Sequence, residues 1–272
     1  GALVPALPSR DEVEVSRFIG TLGGVYHAIR LVGRTNGGNV KVYRASNLTV
    51  SSAKAEMPHH PLRIAHRGMP RRARENTLAS FALALAAGAD GIELDVHATS
   101  DGVVVVQHDP DLTTGAPIAF TSHAELLEQE SDGAQIPTLG EVCALLKGRA
   151  ELFVEIKGAG IEGLVVDALS EYDGPTAIHS FDHDLITRLA AEHCPYPLGV
   201  LFDDAVDVRT LLERTGARDV WPHHSLVTRE LVDVVHFMGG RVIPWTVNGA
   251  DDVTRVTSLG VDGICTDDVS VL

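Results

Sequence analysis

From Leu62 onward, short apolar runs alternate with longer stretches in which apolar residues recur at helical spacing. The runs LRIAH (62–66), GIELDV (91–96), ELFVEIK (151–157), PTAIHS (175–180), PLGVLF (197–202), DVWP (219–222), RVIPWTV (241–247) and DGICT (262–266) read as strands. Between the first two, Leu78, Phe81, Ala82 and Leu85 follow the i, i+3, i+4, i+7 pattern of a core-facing helix. Thr138 with Glu141 three residues on is a capping box that opens another helix. Gly88, Gly148, Gly216, Gly239 and Gly260 fall where helices should end. Eight strands alternating with helices over about 210 residues predict an α/β fold, a (β/α)8 TIM barrel across residues 58–272. The alternative, an open doubly wound sheet, requires a glycine-rich phosphate loop after its first strand. None is there.

Residues 1–57 break this rhythm. Two apolar-alternating runs flank Asn36-Gly37-Gly38, a β-hairpin signal. The segment reads as a small β-rich N-terminal extension or linker with no chemistry of its own. Asn47-Leu48-Thr49 matches a glycosylation sequon, here a coincidence of composition. His59-His60, set between Pro58 and Pro61, reads as linker rather than metal motif.

Composition narrows the partners. A 44% hydrophobic chain of 272 residues can bury a sizeable core, and a net charge of −15 opposes broad binding to nucleic acid or anionic membranes. An anionic small molecule could bind only where local cations reverse that field. No apolar run reaches the ~18 residues of a membrane span. Cys143, Cys194 and Cys265 are odd in number and far apart, so they form no disulfide framework or zinc motif. They point to a reducing, cytoplasmic setting rather than a secreted one. Gly1 in place of Met fits a removed leader or tag.

In a barrel, chemistry gathers at the carboxyl ends of the strands. The first strand ends in His66-Arg67-Gly68, the second carries Glu93 and Asp95, and the third carries Glu155 and Lys157. The seventh runs into Trp245-Thr246-Val247-Asn248. Alternation points Glu93 and Asp95 to one face, where two unrelieved charges would repel. Glu93, Asp95 and Glu155 together make an oxygen-rich site for one hard divalent cation, Ca2+ or Mg2+. The competing reading is a rim salt-bridge network, Glu155 with Lys157 and Glu93 with Arg67. Of 13 histidines, His97, His179, His223 and His224 fall near the proposed rim, while His183 and His236 fall on helices away from it. His66 and His108 stand out because each closes an apolar run and precedes a charged residue. Two histidines beside a metal, with Arg67 and Lys157 at hand, point to acid–base phosphoryl transfer.

Residues 62–268 resemble the glycerophosphodiester phosphodiesterase family. The resemblance is carried by His66-Arg67-Gly68, Glu75-Asn76-Thr77, Ala79-Ser80-Phe81, Glu93-Leu94-Asp95-Val96, Thr99-Ser100-Asp101-Gly102 and His108-Asp109 with Leu112-Thr113-Thr114. It continues through Ile136-Pro137-Thr138-Leu139, Glu155-Ile156-Lys157, Ser180-Phe181-Asp182, Trp245-Thr246-Val247-Asn248, Gly260-Val261-Asp262-Gly263-Ile264 and Thr266-Asp267. Arg74 departs from the family's usual proline, Asp268-Val269 departs from its usual ending, and the segment between Thr114 and Ile136 is short.

The resemblance implies a barrel hydrolase that converts glycerophosphodiesters to glycerol 3-phosphate and an alcohol. It implies His66 and His108 as the acid–base pair, and Glu93, Asp95 and Glu155 as ligands of the divalent ion. It also implies that Arg67 contacts phosphate, and Glu75, Lys157 and Trp245 are further candidate substrate contacts. Among the rim histidines, only His66 and His108 fall in its motifs. A lyase that stops at a cyclic phosphate is the nearest alternative. A catalytically silent barrel used for binding would need a histidine or metal carboxylate to be missing, and none is.

Overall fold

The computed structural model describes residues 29–34, 40–45, 60–129 and 135–272. The chain divides into two units, Gly1–Met57 and Pro58–Leu272. In the first, β1 (Ile29–Arg34) and β2 (Val40–Ala45) pair antiparallel, with Ile29 opposite Ala45 and Arg34 opposite Val40. The Asn36–Gly38 turn, the sequon at Asn47 and His59 lie outside the described residues.

The second unit is a (β/α)8 barrel. Its elements run β3 (Leu62–His66), α1 (Leu78–Ala86), β4 (Gly91–Ala98), β5 (Val104–Val106), α2 (His123–Gln129) and α3 (Leu139–Leu146). They continue with β6 (Glu151–Ile156), α4 (Glu162–Leu169), β7 (Thr176–Ser180), α5 (His183–Ala191), β8 (Leu198–Phe202) and α6 (Val208–Thr215). The last are β9 (Asp219–Pro222), α7 (Arg229–Phe237), β10 (Arg241–Val242), α8 (Ala250–Ser258) and β11 (Gly263–Thr266). The parallel strands follow the order β10-β9-β8-β7-β6-β4-β3-β11, and β5 folds back antiparallel on β4. Bonds from Asp262 N to Val242 O and from Cys265 N to Pro244 O, 2.9 and 3.0 Å, draw β11 against the β10 segment. Pro244 donates no ladder hydrogen bond, so the strand expected over 241–247 shortens to Arg241–Val242.

Alternation explains how strands this apolar can carry carboxylates. On β4, Ile92, Leu94 and Val96 join the layer between strands and helices, so Gly91, Glu93 and Asp95 face the barrel interior. On β6, Leu152, Val154 and Ile156 face the helices and Phe153 and Glu155 face inward. Ile64, Phe153, Ala177, Leu201, Trp221, Ile243 and Cys265 pack inside the barrel. A Cβ on Gly91 would come within 2.7 Å of the Phe153 ring, so the glycine leaves room for that side chain. Helix α1 buries Ser80, Phe81 and Ala84 rather than the expected Ala82, which is exposed. The shift brings the Ser80 hydroxyl against the β3–α1 loop, where it accepts from Met69 N at 2.7 Å.

Candidate active site

The register of the interior strands gathers the polar residues at one end of the barrel. His66 lies opposite Glu93 across β3 and β4, Asp95 opposite Glu155 across β4 and β6, and Glu155 opposite His179 across β6 and β7. All of these but Asp95 line a pocket of about 220 Å³, together with Arg67, His108 and Lys157, and with Phe181, Leu201, Trp221, Trp245 and Cys265 as its apolar walls.

Backbone shape aims the first wall. Arg67 and Gly68 adopt φ of 54° and 88°, a left-handed pair directly after β3. A long non-glycine side chain in that region stores strain, which the surroundings must hold in place. Arg67 N donates to Glu93 O at 2.9 Å and to Glu93 Oε2 at 3.1 Å. Its guanidinium donates from Nη1 to Glu75 Oε1 at 3.0 Å, and Nε lies 3.0 Å from Asp95 Oδ2 without hydrogen-bond alignment. The Arg67 guanidinium therefore reaches Asp95 and Glu75, while only the Arg67 backbone N–H reaches Glu93. Glu75 is not among the lining residues and touches Arg67 instead of facing the pocket.

Lys157 Nζ sits 2.8 Å from Glu155 Oε1, 3.4 Å from Asp95 Oδ1, and 5.7 Å from the centre of the Phe181 ring. Of the two ion pairs expected, Glu155 with Lys157 is present, whereas Glu93 meets only the backbone N–H of Arg67, whose guanidinium pairs with Glu75 and Asp95 instead. Burial alone would raise the Asp95 pKa, but Arg67 and Lys157 outweigh it and hold the carboxyl below its usual range. Glu155 moves the other way. Burial first, and then the Asp95 and Glu93 charges, push it up to about 8 in spite of the Lys157 ion pair.

Glu93, Glu155 and His179 offer donor atoms all within 4.8 Å of one another, the only such group among the described residues. His179 is fully buried, and neither ring nitrogen has a hydrogen-bond partner. Its ring stacks on Trp221 at 4.5 Å, and Nε2 points toward Glu93 Oε1 at 3.7 Å. Asp95 Oδ1 is likewise buried and without a hydrogen bond. Buried carboxylates beside an imidazole whose nitrogens have no hydrogen-bond partner form a donor set that could hold a divalent cation. Glu93 and Glu155 of the oxygen-rich set expected from the sequence fall in this group, beside the imidazole of His179. None of the sequence motifs includes His179. Its signal was the strand register, since it alternates with the inward Ala177 and faces Glu155.

The two histidines are held differently. His66 Nδ1 lies 2.8 Å from Asp267 Oδ1. Burial alone would lower the His66 pKa, but the Asp267 hydrogen bond and the Glu93 charge prevail, and the net shift is upward. His108 follows β5 and pairs through Nδ1 with the exposed Asp109 at 2.8 Å. His97 Nε2 lies 3.1 Å from the His108 carbonyl, so it touches the loop that carries His108 and not the pocket. His223 and His224 stay outside the lining too. His223 Nδ1 meets Ser225 Oγ, and His224 Nδ1 lies 3.4 Å from Asp252 Oδ1. His236 bonds Asp262 at 2.8 Å. His183 is less remote than its helix predicts, because Nε2 is 2.7 Å from the carbonyl of Leu201, a pocket wall. At the mouth, Phe181 and Trp245 meet edge to face at 5.4 Å, and Trp245 Nε1 donates to Trp221 O at 3.0 Å.

Residues 66–271 match the model of the glycerophosphoryl diester phosphodiesterase family. A glycerophosphodiester phosphodiesterase of Caldanaerobacter subterraneus is 35% identical over 231 residues, which cover 77% of this chain and 95% of that protein. The crystal structure of a putative glycerophosphoryl diester phosphodiesterase from Silicibacter pomeroyi aligns with TM-score 0.72 and 27% identity over 79% of this chain and 92% of that one. An Oleispira antarctica phosphodiesterase, solved with the product sn-glycerol-3-phosphate, aligns with TM-score 0.69 and 27% identity over 75% and 92%. The chain belongs to the glycerophosphoryl diester phosphodiesterase family.

Proposed function

We propose that this family member hydrolyses glycerophosphodiesters to glycerol 3-phosphate and an alcohol, with His66 and His108 as acid and base and a divalent cation as cofactor. The observation that carries this reading is the shared pocket, where His66, His108, Arg67 and Lys157 meet the buried Glu93, Glu155 and His179. Glu93, Glu155 and His179 are the proposed ligands, and Asp95 joins them through Oδ1, which no hydrogen bond engages. The bound cation would offset the diester's negative charge and the excess of carboxylates.

The chain's own groups supply the rest. Arg67 and Lys157 place positive charge beside the phosphoryl oxygens in a protein whose net charge is −15. In a glycerophosphodiester the glycerol 2-hydroxyl lies close to phosphorus. One histidine takes that proton as the oxygen attacks, and the other protonates the alcohol that leaves. Water then opens the cyclic phosphate with the two roles reversed. Phe181 and Trp245 supply apolar wall beside these groups. The test is a screen of glycerophosphodiesters, lysophospholipids and bis(p-nitrophenyl) phosphate across Mg2+, Ca2+, Mn2+ and Zn2+, with products identified by phosphorus NMR. Glycerol 3-phosphate is the expected product. A cyclic phosphate that accumulates without hydrolysis would replace hydrolase by lyase.

A further inference from the structure

The geometry points to Asp267 and Asn248 as a positioning pair that fixes the His66 tautomer, so that Nε2 reaches the pocket without a proton. This rests on the proposed function for its catalytic consequence, though not for its structural content.

The chain of bonds is directional. Asp267 N–H donates to Asn248 Oδ1 at 3.0 Å, and the Thr266 hydroxyl donates to the same oxygen at 3.1 Å. A backbone N–H can only donate, so Asn248 cannot flip its amide without placing two donors face to face. Its Nδ2 must then donate to Asp267 Oδ2, at 2.7 Å. The remaining carboxylate oxygen, Oδ1, accepts from His66 Nδ1–H at 2.8 Å. The neutral ring is therefore protonated at Nδ1, leaving Nε2 as the acceptor on the pocket side. The three residues come from the ends of β3 and β11 and from the loop after β10, so the seam that closes the barrel also sets the histidine. The Asp109 that meets His108 is mostly exposed, and no described hydrogen bond to its side chain anchors it from beyond His108.

The pinned amide makes the test sharp. In Asp267→Asn, the new amide must turn its oxygen toward Asn248 Nδ2, which forces its NH2 toward His66 Nδ1. That reverses the ring tautomer and puts the proton on Nε2. In the exchange variant Asp267→Asn/Asn248→Asp, residue 248 becomes an acceptor, the amide at 267 can turn back, and its oxygen again receives Nδ1–H. Nitrogen-15 NMR of the His66 ring reads the tautomer directly, with no need for turnover. The expected result is an Nδ1–H ring in wild type, Nε2–H in Asp267→Asn, and Nδ1–H in the exchange variant. On the best diester substrate, kcat should fall ~10²–10⁴-fold in the single variant. KM should change little, and the exchange variant should recover most of the loss. A single variant that keeps the Nδ1–H ring and wild-type kcat would overturn the proposal, as would an exchange variant whose ring stays Nε2–H. If wild type turns over no diester, the functional reading fails while the tautomer measurement still decides this one.

Discussion

Glu155 and His179 show how much a single residue's surroundings decide. A carboxyl pushed up to about 8 and an imidazole with two unpartnered nitrogens share one buried corner, and one bound cation would relieve both. His179→Ala should therefore weaken divalent binding by at least the ~10–100-fold typical when even an outer-shell partner of a ligand is lost. Calorimetric titration against wild type checks this. Unchanged affinity would remove His179 from the ligand set and leave only the carboxylates. Glu93, Asp95, Glu155, His66, Arg67 and Lys157 were legible in the sequence because each ends or lies within an apolar run. His179 and the Asp267–Asn248 pair were not singled out, because their roles depend on which strand ends face each other. That information is in the register and is not visible in any one motif.

At the scale of elements, the turn after β3 sets the whole first wall. Gly68 takes φ 88°, and a Cβ there would run into the side chain and backbone of Ser80 at the start of α1. Gly68→Ala should cost stability by about 1–3 kcal/mol for the strained backbone alone, and more for the collision. It should also shift Arg67, so kcat/KM should fall further than the melting temperature implies. Urea unfolding with steady-state kinetics on the same preparation separates the two, and a variant equal to wild type in both would show that the turn is not rigid. The strand and helix pattern was legible from apolar spacing, the Thr138–Glu141 capping box and the helix-ending glycines, all five of which have positive φ. Two details were not. Pro244 truncates the seventh barrel strand because it has no N–H to offer, and α1 turns Ala84 inward in place of Ala82 to pack Ser80 beneath the loop.

Across the whole molecule, the two ends of the barrel divide stability from chemistry. At the amino ends of the strands, buried Asp219 accepts from Arg218 at 2.9 and 2.7 Å and from Arg241 at 2.7 and 2.9 Å, and both arginines also reach Glu151. Burial alone would raise the Asp219 pKa, but the two arginines hold it below its usual value. Its stabilisation is therefore complete above the unfolded value of about 3.9 and is lost as pH falls through the lower folded value. Asp219→Asn should flatten that acid limb and destabilise at neutral pH by roughly 3 kcal/mol, toward the low end for a broken buried pair because both arginines are partly solvated. Chemical denaturation as a function of pH reads both effects, and an unaltered acid limb would assign it to other carboxylates. At the opposite end, His66 and His108 line the pocket with Glu93, Glu155 and His179, and in the proposed function they share the proton transfers of diester cleavage. The most direct measurement is single-turnover cleavage of a glycerophosphodiester by wild type, His66→Ala and His108→Ala, with divalent affinity measured on the same samples. Each variant should lose ~10²–10⁴-fold in turnover while cation affinity stays within a few-fold of wild type. Wild-type turnover in either variant would contradict the proposed function.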